Sequence, residues 1–217
     1  RFSCGPDDCH NSVARTRRVR FARALEMSIE TSGERSLPVG RLHTGLGVAL
    51  LEQGRYDEAR RAFERSIEIS SERVGPAHPR VARPIYNLGE TLRRLQRPAE
   101  ARPHLERALA IVDGEDAGHP FVAYPLTSLG LLDVEAGRIE DAVALLERAL
   151  AIREKHKNGN LGDFGQTRFA LARALWESGA RPRALRLAQR AREDWAAAGA
   201  PRAGDLARLD AWLAARR

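Results

Sequence analysis

Apolar residues recur along the chain at the spacing of α-helices and in paired segments. Within residues 119–152, one apolar helical pattern contains Leu129, Gly137 interrupts it, and a second apolar pattern contains Leu146. Apolar positions three and four residues apart predict an amphipathic helix, and a glycine between two such patterns predicts a turn. This stretch therefore predicts a helix-turn-helix unit.

The same unit returns at a fixed period. A leucine followed by glycine or alanine lies in each predicted first helix, in steps of 42, 41 and 42 residues, at Leu46, Leu88, Leu129 and Leu171. An alanine in each second helix follows the same steps, at Ala59, Ala101, Ala142 and Ala184. A constant period of this size predicts stacked repeats rather than one globular core. The small residues allow the two helices of a pair to approach closely.

Several short motifs carry a family resemblance. The Leu-Gly pairs, the run Gly-Arg-Tyr-Asp-Glu-Ala at 54–59 and the run Ala-Leu-Ala-Ile at 149–152 resemble tetratricopeptide repeats, over about residues 13–197. The usual unit has ~34 residues, so these repeats are longer by about two helical turns. With His-Pro dipeptides at 78–79 and 119–120, they are similar to the repeats of the kinesin-light-chain subclass.

The resemblance implies an all-α fold, a right-handed superhelical solenoid of antiparallel helix pairs with a C-terminal capping helix. Gly5 and Pro6 argue against a helix at the start of the chain. The expected segments are an irregular N-terminal segment at 1–12, the second helix of a truncated repeat at 13–32, repeats at 33–75, 76–115, 116–158 and 159–198, and the capping helix at 201–217.

Charge and hydropathy narrow the class of protein. The 217-residue chain carries a formal net charge of +7, and Lys155 and Lys157 are its only lysines. Arginines alternate with glutamates at helical spacing, as at Arg60 and Glu64, which favours a solvated and partly ion-paired surface over a nucleic-acid site. No apolar run is long enough to cross a membrane and no signal peptide is visible, so we expect a cytoplasmic protein. The chain begins with Arg1, which suggests a piece of a larger protein.

Candidate chemistry is sparse. Cys4, Cys9 and His10 lack the spacing of a zinc site, which favours free thiols, and we expect no metal and no cofactor. The tripeptide at 163–165, Asp-Phe-Gly, occurs in kinases, but the chain has no phosphate loop or catalytic loop to accompany it. The repeat places Asp163 at a helix N-cap instead. We therefore expect no enzymatic activity in this chain.

The C-terminal part resembles a narrower group. Residues 168–176, Arg-Phe-Ala-Leu-Ala-Arg-Ala-Leu-Trp, together with Trp212 and Leu213, resemble the C-terminal repeat region of bacterial serine/threonine protein kinases. The resemblance implies a kinase domain upstream of Arg1. In that case the chain is the regulatory or substrate-recruiting module of a kinase.

The family binds partners on a concave groove lined by the first helix of each pair. Its groove positions, counted from the Leu-Gly pairs, fall here on Arg41, Thr44 and Glu52, on Arg83, Tyr86, Glu90, Arg93 and Arg94, on Tyr124, Thr127 and Glu135, and on Gln166, Phe169, Arg173, Trp176 and Glu177. Such arginine and aromatic content suits a protein or peptide ligand with acidic and apolar side chains, rather than a small molecule. For Phe169 and Trp176 the alternative is packing between helices.

Two observations leave the ligand open. Kinesin light chains usually carry Asn where this chain has Thr44, Tyr86, Thr127 and Phe169, so the groove is expected but not its ligand. A basic run on the first predicted helix, from Arg15 to Arg23, supports an alternative hypothesis about function. In this hypothesis the chain belongs to a transcriptional or signalling regulator that contacts nucleic acid or self-associates through this helix.

Overall fold

The computed structural model describes residues 6–156, 160–199 and 203–216, and these residues form α-helices, one short 3-10 helix and no strand. The expected all-α class of antiparallel helix pairs is confirmed. The helices are α1 (Pro6–Ser32), α2 (Leu37–Glu52), α3 (Tyr56–Val74), α4 (Pro79–Arg94), α5 (Pro98–Asp113), a 3-10 helix (Pro120–Val122), α6 (Ala123–Glu135), α7 (Ile139–Lys155), α8 (Leu161–Glu177), α9 (Arg181–Ala198) and α10 (Ala203–Ala214). None of the helices in these ranges is long and apolar enough to span a bilayer.

The chain divides into two compact units, the first ending at Glu115 and the second beginning at Asp116. In unit 1, α2 packs between α1 and α3, and α4 packs between α3 and α5. The Leu-Gly motif permits the close approach, because a Cβ atom at Gly47 would lie 2.5 Å from the Phe63 ring. Ala59 and Ala101 of the two second helices are completely buried.

Unit 2 repeats this packing with α6 against α7 and α8 against α9. A Cβ atom at Gly130 would lie 2.5 Å from Cγ of Leu146, so the same motif again sets the distance between a first and a second helix. The C-terminal helix α10 packs on α9 through Leu209, which lies against Ala191 and Trp195.

The turns and caps follow from local sequence. Gly54 has a φ of 71° just after α2, a left-handed conformation that glycine adopts without strain. At the equivalent turn after α4 the residue is Gln96, with a φ of 59°. His78 and His119 cap the helical segments that follow them, since each Nδ1 accepts a 3.1 Å hydrogen bond from the main-chain N–H two residues later.

Two local expectations are wrong. Helix α1 begins at Pro6, within the segment expected to be irregular, because proline is tolerated at the first position of a helix, where its missing N–H has no partner to lose. Asp163 does not cap α8. The cap is Asn160, whose Oδ1 accepts a 2.8 Å hydrogen bond from the N–H of Gly162.

Candidate partner-binding surface

In unit 1 the predicted contact residues lie on α2 and α4, and we call their common surface the first-helix face of unit 1. Arg41 of α2 and Arg83 of α4 are exposed and occupy equivalent positions of consecutive repeats. Two arginines at equivalent positions place positive charge repeatedly along this face. Arginine provides a rigid set of donors for carboxylates, so the face is suited to an anionic segment of a partner.

A buried carboxylate holds two further arginines of this face. Glu90 is only 5% exposed and accepts hydrogen bonds from Nη2 of Arg93 at 2.8 Å, Nε of Arg93 at 3.0 Å and Nε of Arg94 at 3.1 Å. Burial alone would raise the pKa of Glu90, but the two guanidinium groups hold that pKa below its usual range. Glu90 therefore serves as an internal anchor and is not open to a partner.

Arg93 and Arg94 differ in the exposed fraction of their side chains. The side chain of Arg93 is 17% exposed, whereas that of Arg94 is 45% exposed although its Nε is bonded to Glu90. The pairing restricts the rotamers of Arg94 before any ligand arrives, which lowers the entropy cost of a contact with it. Of the pair, Arg94 is the better placed to meet a partner.

Other predicted residues of unit 1 face neighbouring helices. The Thr44 hydroxyl lies 2.7 Å from the hydroxyl of Ser66 on α3, and Tyr86 packs against the cluster of Val81, Ile85 and Ala108. Glu52 accepts a 3.0 Å hydrogen bond from Nη1 of Arg17 on α1. These contacts occupy positions at which the family resemblance implied open groove residues.

In unit 2 the predicted residues of α6 form part of a polar network between helices. The phenol of Tyr124 donates a 2.8 Å hydrogen bond to Oδ2 of Asp163, and the hydroxyls of Thr127 and Thr167 lie 3.0 Å apart. Thr127 is 3% exposed, so its side chain lies within the helix packing rather than on an open surface. Its hydroxyl donates back to the carbonyl of Ala123, four residues earlier.

Arg153 of α7 completes this network. Its guanidinium carbon lies 4.6 Å from the centroid of the Tyr124 ring, and its Nε donates a 2.9 Å hydrogen bond to Oγ1 of Thr167. Nη1 lies 3.8 Å from Oδ2 of Asp163. Arg153 is only 7% exposed. Sequence reasoning missed it, and the signal was a charged residue placed directly after the apolar run at 149–152.

The residues predicted on α8 divide between open and packed positions. Gln166 and Arg173 are partly exposed. The ring centroid of Phe169 lies 5.7 Å from those of both Trp195 and Trp212, and Trp176 lies 5.6 Å from Trp212, all with edge-to-face geometry. Phe169 and Trp176 therefore take part in packing between helices.

The arrangement of His, Cys, Asp and Glu side chains bears on metal binding. In the described ranges, no three His, Cys, Asp or Glu residues are arranged to hold a metal ion. Cys4 and the side chains of Cys9 and His10 lie outside the described residues.

Both units are thus helical-repeat structures, in which small residues allow each first helix to pack closely against its second helix. The family model of the tetratricopeptide repeat matches residues 18–72, 38–114 and 80–155, which together cover more than half of the chain. The chain belongs to the tetratricopeptide repeat family and is a protein-interaction scaffold of that family. A comparison with curated proteins gives no match.

Solved structures place the fold among kinesin-light-chain-like repeats. BtubC (BKLC) from P. vanneervenii is 19% identical with a TM-score of 0.65, over 85% of this chain and 91% of that chain. A kinesin-light-chain protein of Podosopora anserina with nearly identical repeats is 20% identical with a TM-score of 0.61, over 90% and 98% of the two chains. YrrB, a repeat protein with an unusual peptide-binding site, is 17% identical with a TM-score of 0.53, over 81% and 78%.

Proposed function

We propose that the chain binds a peptide or protein partner through the first-helix face of unit 1, with Arg41, Arg83 and Arg94 as the main contacts. The observation that carries this proposal is the Glu90 anchor, which fixes two arginines on a face that already presents Arg41 and Arg83. Pre-organised arginines favour carboxylate ligands, so the preferred segment is acidic. The peptide site of the structurally similar YrrB supports a peptide as the form of the ligand.

The proposal treats this chain as a binding module and not as an enzyme. In unit 2, Tyr124, Gln166 and Arg173 are the predicted residues proposed to contact a partner, whereas Thr127 is buried. Gln166 and Arg173 on α8 are partly exposed, which supports their assignment as contact residues. Contacts in unit 2 are secondary to those of unit 1, because Arg173 is the one arginine among these three residues, whereas unit 1 offers Arg41, Arg83 and Arg94.

The direct test is selection from a random phage-displayed peptide library on the immobilised 217-residue chain. Peptides rich in Asp and Glu are expected, and the variant Arg41→Glu/Arg83→Glu should lose them, because both side chains are exposed and their reversal leaves the core intact. The control Arg186→Glu/Arg190→Glu makes the same charge change on exposed positions of α9. Selection of peptides without acidic bias, bound equally by all three proteins, would refute the proposal.

We further propose that this scaffold is the substrate-recruiting module of a bacterial cytoplasmic serine/threonine protein kinase. The support is the similarity of residues 168–176 and of Trp212 and Leu213 to the repeat regions of such kinases. Sequencing of the complete reading frame tests it. A kinase domain upstream of Arg1 is the expected result, and a different domain there would remove the kinase role while leaving the binding surface untouched.

A further inference from the structure

Helix α1 differs from the second helices of the repeats on the side where a first helix would pack. Counting back 42 residues, Arg17 and Arg20 of α1 stand where α3 has Ala59 and Ala62. Both alanines are buried, at 0% and 7% exposed, and their small side chains let α2 and α3 approach closely. Two arginines at these positions prevent such an approach. This side of α1 therefore cannot bring a first helix as close as α3 brings α2, and Arg17 instead reaches across to Glu52 of α2.

The same helix carries most of the exposed large apolar side chains of the described residues. Val13, Val19, Met27 and Ile29 are between 37% and 60% exposed, and only Leu161 outside α1 is comparable. Met27 is the equivalent of Ile69, which is completely buried in α3. Exposed apolar side chains concentrated on one element of a folded chain indicate an interaction surface.

The charges on the exposed side of α1 are separated along its length. Among the described side chains of α1, from Val13 to Ser32, Arg15 and Arg20 are exposed toward the beginning, Arg23 is exposed near the middle, and Glu26 and Glu30 are exposed toward the end. When two copies of α1 lie antiparallel, the arginine end of each helix meets the glutamate end of the other. A parallel pair would instead bring like charges together, which is unfavourable.

We infer that α1 is a homodimerisation helix, and that two copies of the chain associate through antiparallel packing of α1 against α1 about a two-fold axis. The contact is isologous, because the same surface serves both copies. It buries Val19 and Met27 and pairs the arginine end of one copy with the glutamate end of the other. This surface is separate from the first-helix face of unit 1, so the dimer and the proposed peptide site are tested independently.

Other occupants fit the charges less well. The exposed side of α9 carries Arg186 and Arg190 and a single exposed carboxylate, Glu193, so α9 of a second copy would offer the arginines of α1 one carboxylate where a second α1 offers two, Glu26 and Glu30. A purely anionic partner would satisfy Arg15, Arg20 and Arg23 but would face Glu26 and Glu30 at the other end of the same helix. The second copy satisfies both ends at once.

The test is the molar mass of the 217-residue chain by sedimentation equilibrium over a concentration series. The wild-type chain is expected to reach the mass of a dimer. Arg15→Glu/Arg20→Glu and Glu26→Arg/Glu30→Arg should each weaken the dimer by on the order of tenfold in Kd, because each variant places like charges opposite one another. The variant with all four substitutions should recover the dimer, because both ends reverse together.

Three controls separate this interface from alternatives. Arg186→Glu/Arg190→Glu, with the same charge change on α9, should leave the dimer intact. Circular dichroism should show the same helix content in every variant. A 1:1 mixture of the two double variants should form a mixed dimer, because one helix is then acidic and the other basic. A wild-type chain that is monomeric at every concentration, or a dimer insensitive to all α1 variants, would overturn the inference.

Discussion

The phenol of Tyr124 on α6 donates a 2.8 Å hydrogen bond to the carboxylate of Asp163 on α8, which ties the first helices of two consecutive repeats together. Burial, and then the negative charge of Asp163, raise the pKa of this phenol. The bond accounts for two residues whose roles the sequence did not predict. Tyr124 was expected in an open groove and Asp163 at a helix cap.

The first prediction concerns this pair. Asp163→Asn removes the negative charge but keeps an acceptor, so the pKa of Tyr124 should fall toward its ordinary value. The ultraviolet absorbance of tyrosinate during an alkaline titration measures this, and Tyr124→Phe identifies the signal among the three tyrosines of the chain. Because the folded pKa is raised, the stability linked to Tyr124 is complete below the unfolded pKa and is lost as the pH rises through the folded one. An unchanged titration in Asp163→Asn would show that the charge of Asp163 does not contribute to the raised pKa of Tyr124.

The second prediction concerns the anchor of the first-helix face. Glu90→Gln should lower the free energy of unfolding by about 2–3 kcal/mol, because it removes the charge from a buried carboxylate that accepts hydrogen bonds from two guanidinium groups. The pKa of Glu90 is lowered in the folded state, so its stabilisation is present above the unfolded pKa and is lost as the pH falls through the folded pKa. Urea unfolding at neutral and acidic pH measures both effects.

The matched control for Glu90 is Glu106, an exposed glutamate of α5 that pairs with Arg102 at 3.5 Å. Glu106→Gln should change the free energy of unfolding by less than about 0.5 kcal/mol, since exposed ion pairs contribute little. Equal effects of the two substitutions would show that burial of Glu90 has no energetic consequence.

The third prediction concerns the turn after α4. Gln96 adopts a φ of 59°, whereas glycine occupies the equivalent turn position at Gly54. Gln96→Gly should raise the free energy of unfolding by about 0.5–1 kcal/mol, because relief of left-handed strain outweighs the added freedom of the unfolded chain. In the control Ala136→Gly the exposed residue has a φ of −89° and no strain to relieve, so that variant should be neutral or less stable. Thermal unfolding that ranks the two variants the other way would refute the argument.

The fourth prediction concerns close packing in unit 2. Gly130→Ala places a Cβ atom 2.5 Å from Cγ of Leu146 and should destabilise the protein by about 1–3 kcal/mol, because one of the two helices must move. At Gly204 in α10 an added Cβ meets no atom within 4 Å, so Gly204→Ala should be neutral or slightly stabilising. Denaturant midpoints of the two variants test this contrast. Comparable losses of stability in both variants would show that the contact between Gly130 and Leu146 is not the cause of the loss.

The sequence predicts those features that repeat and misses those that occur once. The 41- to 42-residue period identifies the helix pairs because Leu129 and Ala142 have counterparts elsewhere, and the same packing requires the same residues each time. Arg153 has no counterpart, and its partners lie on α6 and α8, so no local pattern reveals it. The exposure of the predicted contact residues is hard to predict for a related reason. The position of Thr127 within its repeat could be counted, but its burial depends on which neighbour covers it.

Uniqueness gives the Arg153 network a consequence for assembly of the chain. Helices with similar sequences can pack against the wrong neighbour with little loss of stability. Such misassembly is a known failure of repeat proteins during folding. The positions equivalent to Thr167 in the two preceding repeats are Pro125 and Pro84, which offer the guanidinium no hydroxyl. An α7 helix whose Arg153 met either proline in the place of Thr167 would bury the guanidinium without the hydrogen bond that Thr167 accepts. The contacts of Arg153 therefore favour α8 as the following neighbour of α7 over α4 and α6, which carry proline at this position.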